Sequence, residues 1–195
     1  MKLKRTASLL MSSALIASAL SMSAFAAPDG LVTAPGAGNT PVKLTAEAST
    51  FNVTVPTDIT LAVGADGTVT APSNVKIINN SSGPVKVTSV AMNNGTWKMT
   101  DYNGGSREKI AAEKVGSKKL GLSLTAKGEE TASNKDNNQS FVPSQWLMQG
   151  KDGGTANCEL PITVKAIATA SDQKISVAET AADVIFTLAW DAAQA

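Results

Sequence analysis

The sequence contains no histidine, a single cysteine and few aromatic residues, which make up 4% of the chain. Without histidine, Ser-His-Asp and Cys-His catalysis, most zinc sites and the usual general base near neutral pH are excluded. Cys158 has no second cysteine with which to close an intramolecular disulfide, and a small buried residue near a strand start is its predicted role. We therefore expect packing and hydrogen bonds to hold the fold.

Carboxylate pairs are the remaining route to catalysis, as in glycoside hydrolysis. The acidic residues available for such a pair show no supporting spacing, and the sugar-binding aromatic walls that usually accompany them are scarce. The sequence therefore predicts a protein that is not an enzyme and has no catalytic residues. The acidic residues in question are Glu129, Glu130, Glu159, Glu179 and Asp183.

An asparagine-rich segment resembles part of a calcium-binding loop. Asn134, Asp136 and Asn138 occupy its first, third and fifth positions. Gln139 stands in place of the turn glycine and Gln145 in place of the bidentate glutamate, so the segment lacks the required ligand set. We predict a solvated loop, with no metal and no cofactor.

Charge of one sign is not concentrated anywhere in the chain. If Lys2, Lys4 and Arg5 are removed with the N-terminal segment, the 17 basic residues fall to 14 against 16 acidic ones, a formal charge of −2. Arg107 is then the sole arginine. Nucleic-acid binding needs a clustered basic face, so it is not expected.

The first 26 residues have the pattern of a cleavable signal peptide. Lys2, Lys4 and Arg5 precede a run of apolar and small residues over 7–20, and Ala24 and Ala26 fit a signal-peptidase site. Serines interrupt the apolar run, which disfavours a membrane anchor, and no second long apolar stretch follows. We predict a secreted, extracellular or cell-surface protein with no membrane span after cleavage.

The remainder divides into an arm and a body. Residues 27–41 combine prolines with glycines and predict a flexible arm without regular structure. Residues 42–195 are long enough for one domain with its own core.

Alternating apolar and polar residues dominate the body. They occur over 51–55, 59–63, 85–88, 120–124, 160–168 and 184–190, with Gly- and Asn-rich turn signals between them. Short strands at this spacing predict an all-β fold, an antiparallel β-sandwich of immunoglobulin-like or jelly-roll-like type. Residues 108–115 and 178–182 favour one or two short helical turns. The polar residues 127–140 predict an exposed loop.

The aromatic residues separate into two groups. Trp97, Phe186 and Trp190 lie in alternating segments and are predicted to pack in the core. Trp146 and Tyr102 lie in loop-like surroundings, and we identify them as a candidate ligand platform for a glycan.

Several strand and turn phrases resemble small exported surface proteins of Clostridia and related Gram-positive bacteria. The resemblance covers most of the chain after the signal peptide and implies an exported β-sheet protein. Its phrases contain no catalytic motif. They are residues 50–57 (TFNVTVPT), 65–69 (ADGTV), 76–81 (KIINNS), 85–90 (VKVTSV) and, like the closing strand of those proteins, 184–190 (VIFTLAW).

These observations favour a non-catalytic surface protein, structural or adhesive, such as a subunit of an extracellular fibre or matrix. A glycan-binding or cell-wall-binding module that uses Trp146 and Tyr102 is the alternative. The partners expected are thus other copies of the chain or cell-wall glycan. Residues 42–46 (VKLTA) alternate and can pair with a sheet edge, either within their own domain or on a neighbouring molecule.

Overall fold

The structure is a computed structural model that describes Leu44 and residues 49–135 and 140–191. The signal peptide and the arm predicted over 1–26 and 27–41 lie outside the described residues. All the described strands belong to one unit, Glu47–Ala195. Strands make up 41% of the structure and helices 9%, so the predicted all-β class is confirmed. Within the described ranges, no helix has the length and apolar character needed to cross a bilayer.

Thirteen strands and two short α-helices follow one another within residues 49–135 and 140–191. Single 3-10 turns lie at Asn103–Gly105 and Lys151–Gly153. The strands and helices are β1 (Val53–Thr54), β2 (Ala62–Val63), β3 (Val69–Thr70), β4 (Lys76–Asn79), β5 (Val85–Asn94), β6 (Lys98–Met99), α1 (Glu108–Ala111), β7 (Lys119–Ala126), β8 (Glu129–Ala132), β9 (Ser140–Phe141), β10 (Leu147–Met148), α2 (Thr155–Cys158), β11 (Glu159–Pro161), β12 (Thr163–Ala168) and β13 (Ala182–Trp190).

The strands pair into three larger sheets and a ribbon. One sheet has the order β1-β4-β11, the second has β10-β5-β13 with β9 also on β5, and the third has β12-β7-β6 with β8 also on β7. The strands β2 and β3 form the ribbon. All these pairs are antiparallel except β6 with β7. The finer assignment to an immunoglobulin-like or jelly-roll-like sandwich stays a prediction.

One hydrophobic core is shared by the three larger sheets. Period-two alternation directs every second side chain of a strand to the same face, which is why strand residues dominate this cluster. The buried members include Val85, Val87, Val90 and Met92 on β5, Leu120, Leu122 and Leu124 on β7, and Ile77 on β4. Trp97 belongs to the same core, as predicted.

The segment 160–168 is two strands rather than the single strand predicted. β11 pairs with β4, whereas β12 pairs with β7, so the chain passes from one sheet to another at Ile162. Its backbone N–H donates to the carbonyl of Val75 at 2.8 Å, outside both ladders. Because Leu160, Ile162 and Val164 are all buried, the apolar alternation continues through the break and conceals it.

The predicted loop over 127–140 is in part a strand. Lys127 and Gly128 have φ angles of 48° and 78°, a two-residue connection with positive φ that returns the chain as β8 against β7. Residues 136–139 of the predicted loop lie outside the described residues, and so does most of the calcium-like pattern. The polar sequence of β8 hid the strand, since only Thr131 in it is buried.

The helical prediction is confirmed at one place and wrong at the other. α1 forms a single turn within the predicted 108–115 and buries Ile110. Residues 178–181 are not helical, and Ala182 begins β13. The carbonyls of Thr180 and Ala181 accept hydrogen bonds from Thr96 and from Gly95 and Trp97, contacts across the sheet that replace the helical ones.

Candidate functional site

Trp146 is not part of a ligand platform, and that prediction is wrong. The side chain is fully buried in the shared core, where its ring lies 6.5 Å from that of Phe186. Its Nε1–H points to the carbonyl of Glu129 at 3.4 Å, and its own carbonyl accepts the N–H of Val87 at 3.0 Å. The short connection between β9 and β10 thus carries an inward-facing ring.

Tyr102 is also buried, so the second half of the predicted platform is wrong as well. It packs with Ile110 and Ile167 in a small cluster separate from the main core. Burial, with Glu130 nearby, raises the pKa of its hydroxyl. The two rings therefore belong to different hydrophobic clusters and neither presents a face to solvent.

Tyr102 borders a cleft of about 450 Å³ that contains the single arginine of the body. The Arg107 guanidinium donates to the backbone carbonyl of Asp66 and lies 3.9 Å from its carboxylate. Lys165 also lines the cleft. The positive charge of Arg107 is thus partly neutralised within the chain. The same contacts hold the turn over residues 64–68 in place.

The Glu129 carboxylate stabilises the loop that directly precedes Trp146. Its carboxylate accepts the backbone N–H groups of Ser144 at 2.9 Å and of Gln145 at 2.8 Å, and the Ser144 hydroxyl at 3.2 Å. These bonds favour the ionised form and hold the pKa of the Glu129 carboxyl below its ordinary value of 4.5. The carboxylate acts as an anionic cap for two backbone donors.

Acidification is expected to weaken the fold through this cap. A carboxyl whose pKa is lower in the folded chain stabilises it above pH 4.5, and this stabilisation is lost as pH falls through the folded pKa. Urea unfolding measured between pH 7 and pH 3 should show decreasing stability below about pH 4.5. Glu129→Gln should lose stability at pH 7 but show a shallower decline on acidification than the unchanged chain. Parallel curves for the two proteins would contradict this role.

Three of the other four candidate carboxylates also contact their own chain, namely those of Glu130, Glu159 and Glu179. Glu179 accepts Trp97 Nε1–H at 2.6 Å and the Lys118 ammonium at 3.1 Å, which lower the pKa of the Glu179 carboxyl. The remaining two are bonded across strands, Glu130 to the Ser123 hydroxyl and Glu159 to Lys76. Each of these contacts ties one strand or loop to another.

Neither a metal centre nor a reactive thiol emerges from the part of the chain that the structure describes. Within it, no group of three or more Cys, Asp and Glu side chains is arranged to hold a metal ion. Cys158 is buried at the end of α2, directly before β11, in agreement with its predicted role.

The outer edge of β13 is the feature that the sequence did not reveal. β13 pairs with β5 over its whole length, from Ala182 opposite Asn94 to Trp190 opposite Val85. Among the described residues, no strand pairs with its other side. We call this nine-residue side of the sheet the β13 edge.

Two hydrogen bonds at the ends of β13 fix which backbone groups point outward. The Ala181 carbonyl accepts from Gly95 N–H at 3.1 Å, and Asp191 N–H donates to the Pro84 carbonyl at 2.9 Å, both toward β5. In an antiparallel pair, successive residues alternate between facing the partner strand and facing away. Odd-numbered residues of β13 therefore bond to β5, whereas the N–H and C=O groups of Ala182, Val184, Phe186, Leu188 and Trp190 point outward.

Several apolar side chains at the β13 edge are incompletely covered. Ile185 is 49% exposed on the outer face of the sheet. Phe186 was predicted to be buried, yet it is only half-buried, and none of the described strands lies beyond β13 to cover it. Trp190, predicted in the core, is 38% exposed and makes an edge-on contact with Phe51 at a ring distance of 5.1 Å.

Comparison with known proteins identifies no relative that would assign this edge a role. No protein-family model matches the chain, and no curated protein or solved structure is significantly similar to it.

Proposed function

We propose that this chain is an exported, non-catalytic structural or adhesive protein of the cell surface, whose molecules associate with one another. The β13 edge carries the proposal. A long edge strand presents unpaired backbone donors and acceptors and pairs readily with another chain. The signal-peptide pattern predicts export, and an exported surface protein would have this edge outside the cell, where it could pair with other copies.

The strand also lacks the features that normally protect a sheet edge. Edges are commonly blocked by lysine, by proline, by very short strands or by bulges that twist them away. β13 has neither lysine nor proline, spans nine residues and has Asp183 as its single charged residue. The register shift near Thr187 and Leu188 places the extra residue on β5, so β13 itself continues regularly.

We expect the protein purified without residues 1–26 to self-associate as its concentration rises. Static light scattering and sedimentation velocity from micromolar to millimolar concentration should show species larger than the monomer, and electron microscopy should show whether they extend into fibres. A strict monomer over this whole range would overturn the proposal. The glycan-binding alternative rested on Trp146 and Tyr102, which are both buried, and we do not retain it.

A further inference from the structure

We infer that the partner of the β13 edge is the β13 edge of a second copy of this chain, paired antiparallel about a two-fold axis. This inference rests on the proposed self-association and names its interface. Two identical strands related by a two-fold axis perpendicular to their sheets run antiparallel, and they form an interface that is the same on both copies. The two four-stranded sheets would then become one continuous sheet.

The outward-pointing backbone groups fit this arrangement. They belong to the even-numbered residues, which are symmetric about the strand's midpoint, Phe186. With Phe186 opposite its copy, Val184 lies opposite Leu188 and Ala182 opposite Trp190 of the partner. Every outward N–H and C=O of β13 then meets a complementary group, as antiparallel hydrogen-bonded pairs require.

Charge favours the same register. With Phe186 at the axis, the two Asp183 carboxylates lie at opposite ends of the paired strands. Moving the axis to Val184 brings them into diagonal positions about 7–8 Å apart, where like charges repel. Asp183 therefore disfavours that slipped register and leaves the centred one free of like-charge contact.

Side-chain burial supports a second copy as the occupant. In the centred register, exposed Ile185 meets Thr187 of the partner, a pairing that covers apolar surface on the outer face. On the core-facing side, half-buried Val184, Phe186 and Leu188 gain a neighbouring strand on the side where none of the described strands pairs with β13. Cross-strand contacts of this kind are the main side-chain stabilisation in a sheet.

Ile185→Lys tests the interface, because it places two ammonium groups diagonally across the axis in the dimer. The dissociation constant measured by sedimentation should rise at least about tenfold. Ile175→Lys is the matched control, since Ile175 is similarly exposed, at 44%, but lies outside any strand. Its dissociation constant should not change. Circular dichroism and urea unfolding of each variant check that the monomer fold is retained.

Hydrogen exchange supplies a second measurement on the unchanged chain. The amides of Val184, Phe186 and Leu188 should become protected only at concentrations where dimers form, whereas those of Ile185 and Thr187, bonded to β5, should be protected at all concentrations. Concentration-independent exchange at all five amides would overturn the inference.

The outcomes separate this inference from the proposed function. If the unchanged protein stays monomeric, both are wrong. If it associates but Ile185→Lys associates equally well, the inference alone is wrong. Loss of association on deleting residues 27–46, with no effect of Ile185→Lys, would instead identify a neighbour's arm as the occupant of the edge.

Discussion

Replacing Trp146 with alanine is expected to lower the free energy of unfolding by about 3–5 kcal/mol, the range for removing a buried aromatic side chain. Trp146 is fully buried, contacts Phe186 and lies under the loop that Glu129 caps. The substitution leaves a cavity in the shared core, next to Phe186 of β13. Urea unfolding of the purified protein, followed by circular dichroism, measures the loss.

Trp190→Ala is the control for this experiment. Trp190 is 38% exposed at the end of β13, so the same substitution removes less buried surface there and should cost about 1–2 kcal/mol. Equal losses at the two tryptophans would mean that Trp146 does not occupy the core. A loss at Trp146 below that at Trp190 would restore the original prediction of an exposed ring.

Asn79→Leu is expected to cost roughly 3–5 kcal/mol, because it removes three hydrogen bonds that a buried side chain makes to backbone groups. Asn79 is fully buried at the end of β4. Its amide nitrogen donates to the carbonyls of Gly83 and Gln149, each at 2.9 Å, and its amide oxygen accepts the N–H of Ser81 at 2.9 Å. Leucine has nearly the same size but can make none of these bonds.

The adjacent residue provides a matched control for this substitution. Asn80 is exposed, and its amide donates to the Thr54 hydroxyl at the surface. Asn80→Leu should change the free energy of unfolding by less than about 1 kcal/mol. Comparable losses at the two positions would show that the buried amide network of Asn79 does not hold the turns together.

The strand content was predictable because the alternation of apolar residues is a local property. Leu120, Leu122 and Leu124 show the period-two pattern, and all three are buried on β7. The pattern does not state which strand pairs with which. That is why the division at Ile162 between two sheets was missed, whereas β8 was missed because its polar residues show no apolar alternation.

The candidate site was predicted poorly for a related reason. Trp146 and Tyr102 lie among polar and turn-forming residues, and such surroundings usually accompany exposure. Burial depends instead on contacts distant in sequence, such as the cap that Glu129 places on Ser144 and Gln145. The β13 edge was also hidden, because alternation over 184–190 is the same whether a strand has neighbours on one side or on both.

The pairing of β5 with β13 also has a kinetic consequence. These strands lie roughly a hundred residues apart in the chain, and contacts of such long range make folding slow, on the scale of milliseconds to seconds. Until the last strand arrives, β5 is paired, among the described strands, with the short strands β9 and β10 alone. The side of β5 that β13 covers in the folded monomer is therefore open during folding. If β13 of the same chain pairs with it first, the molecule folds, whereas pairing with a strand of another chain leads to an aggregate.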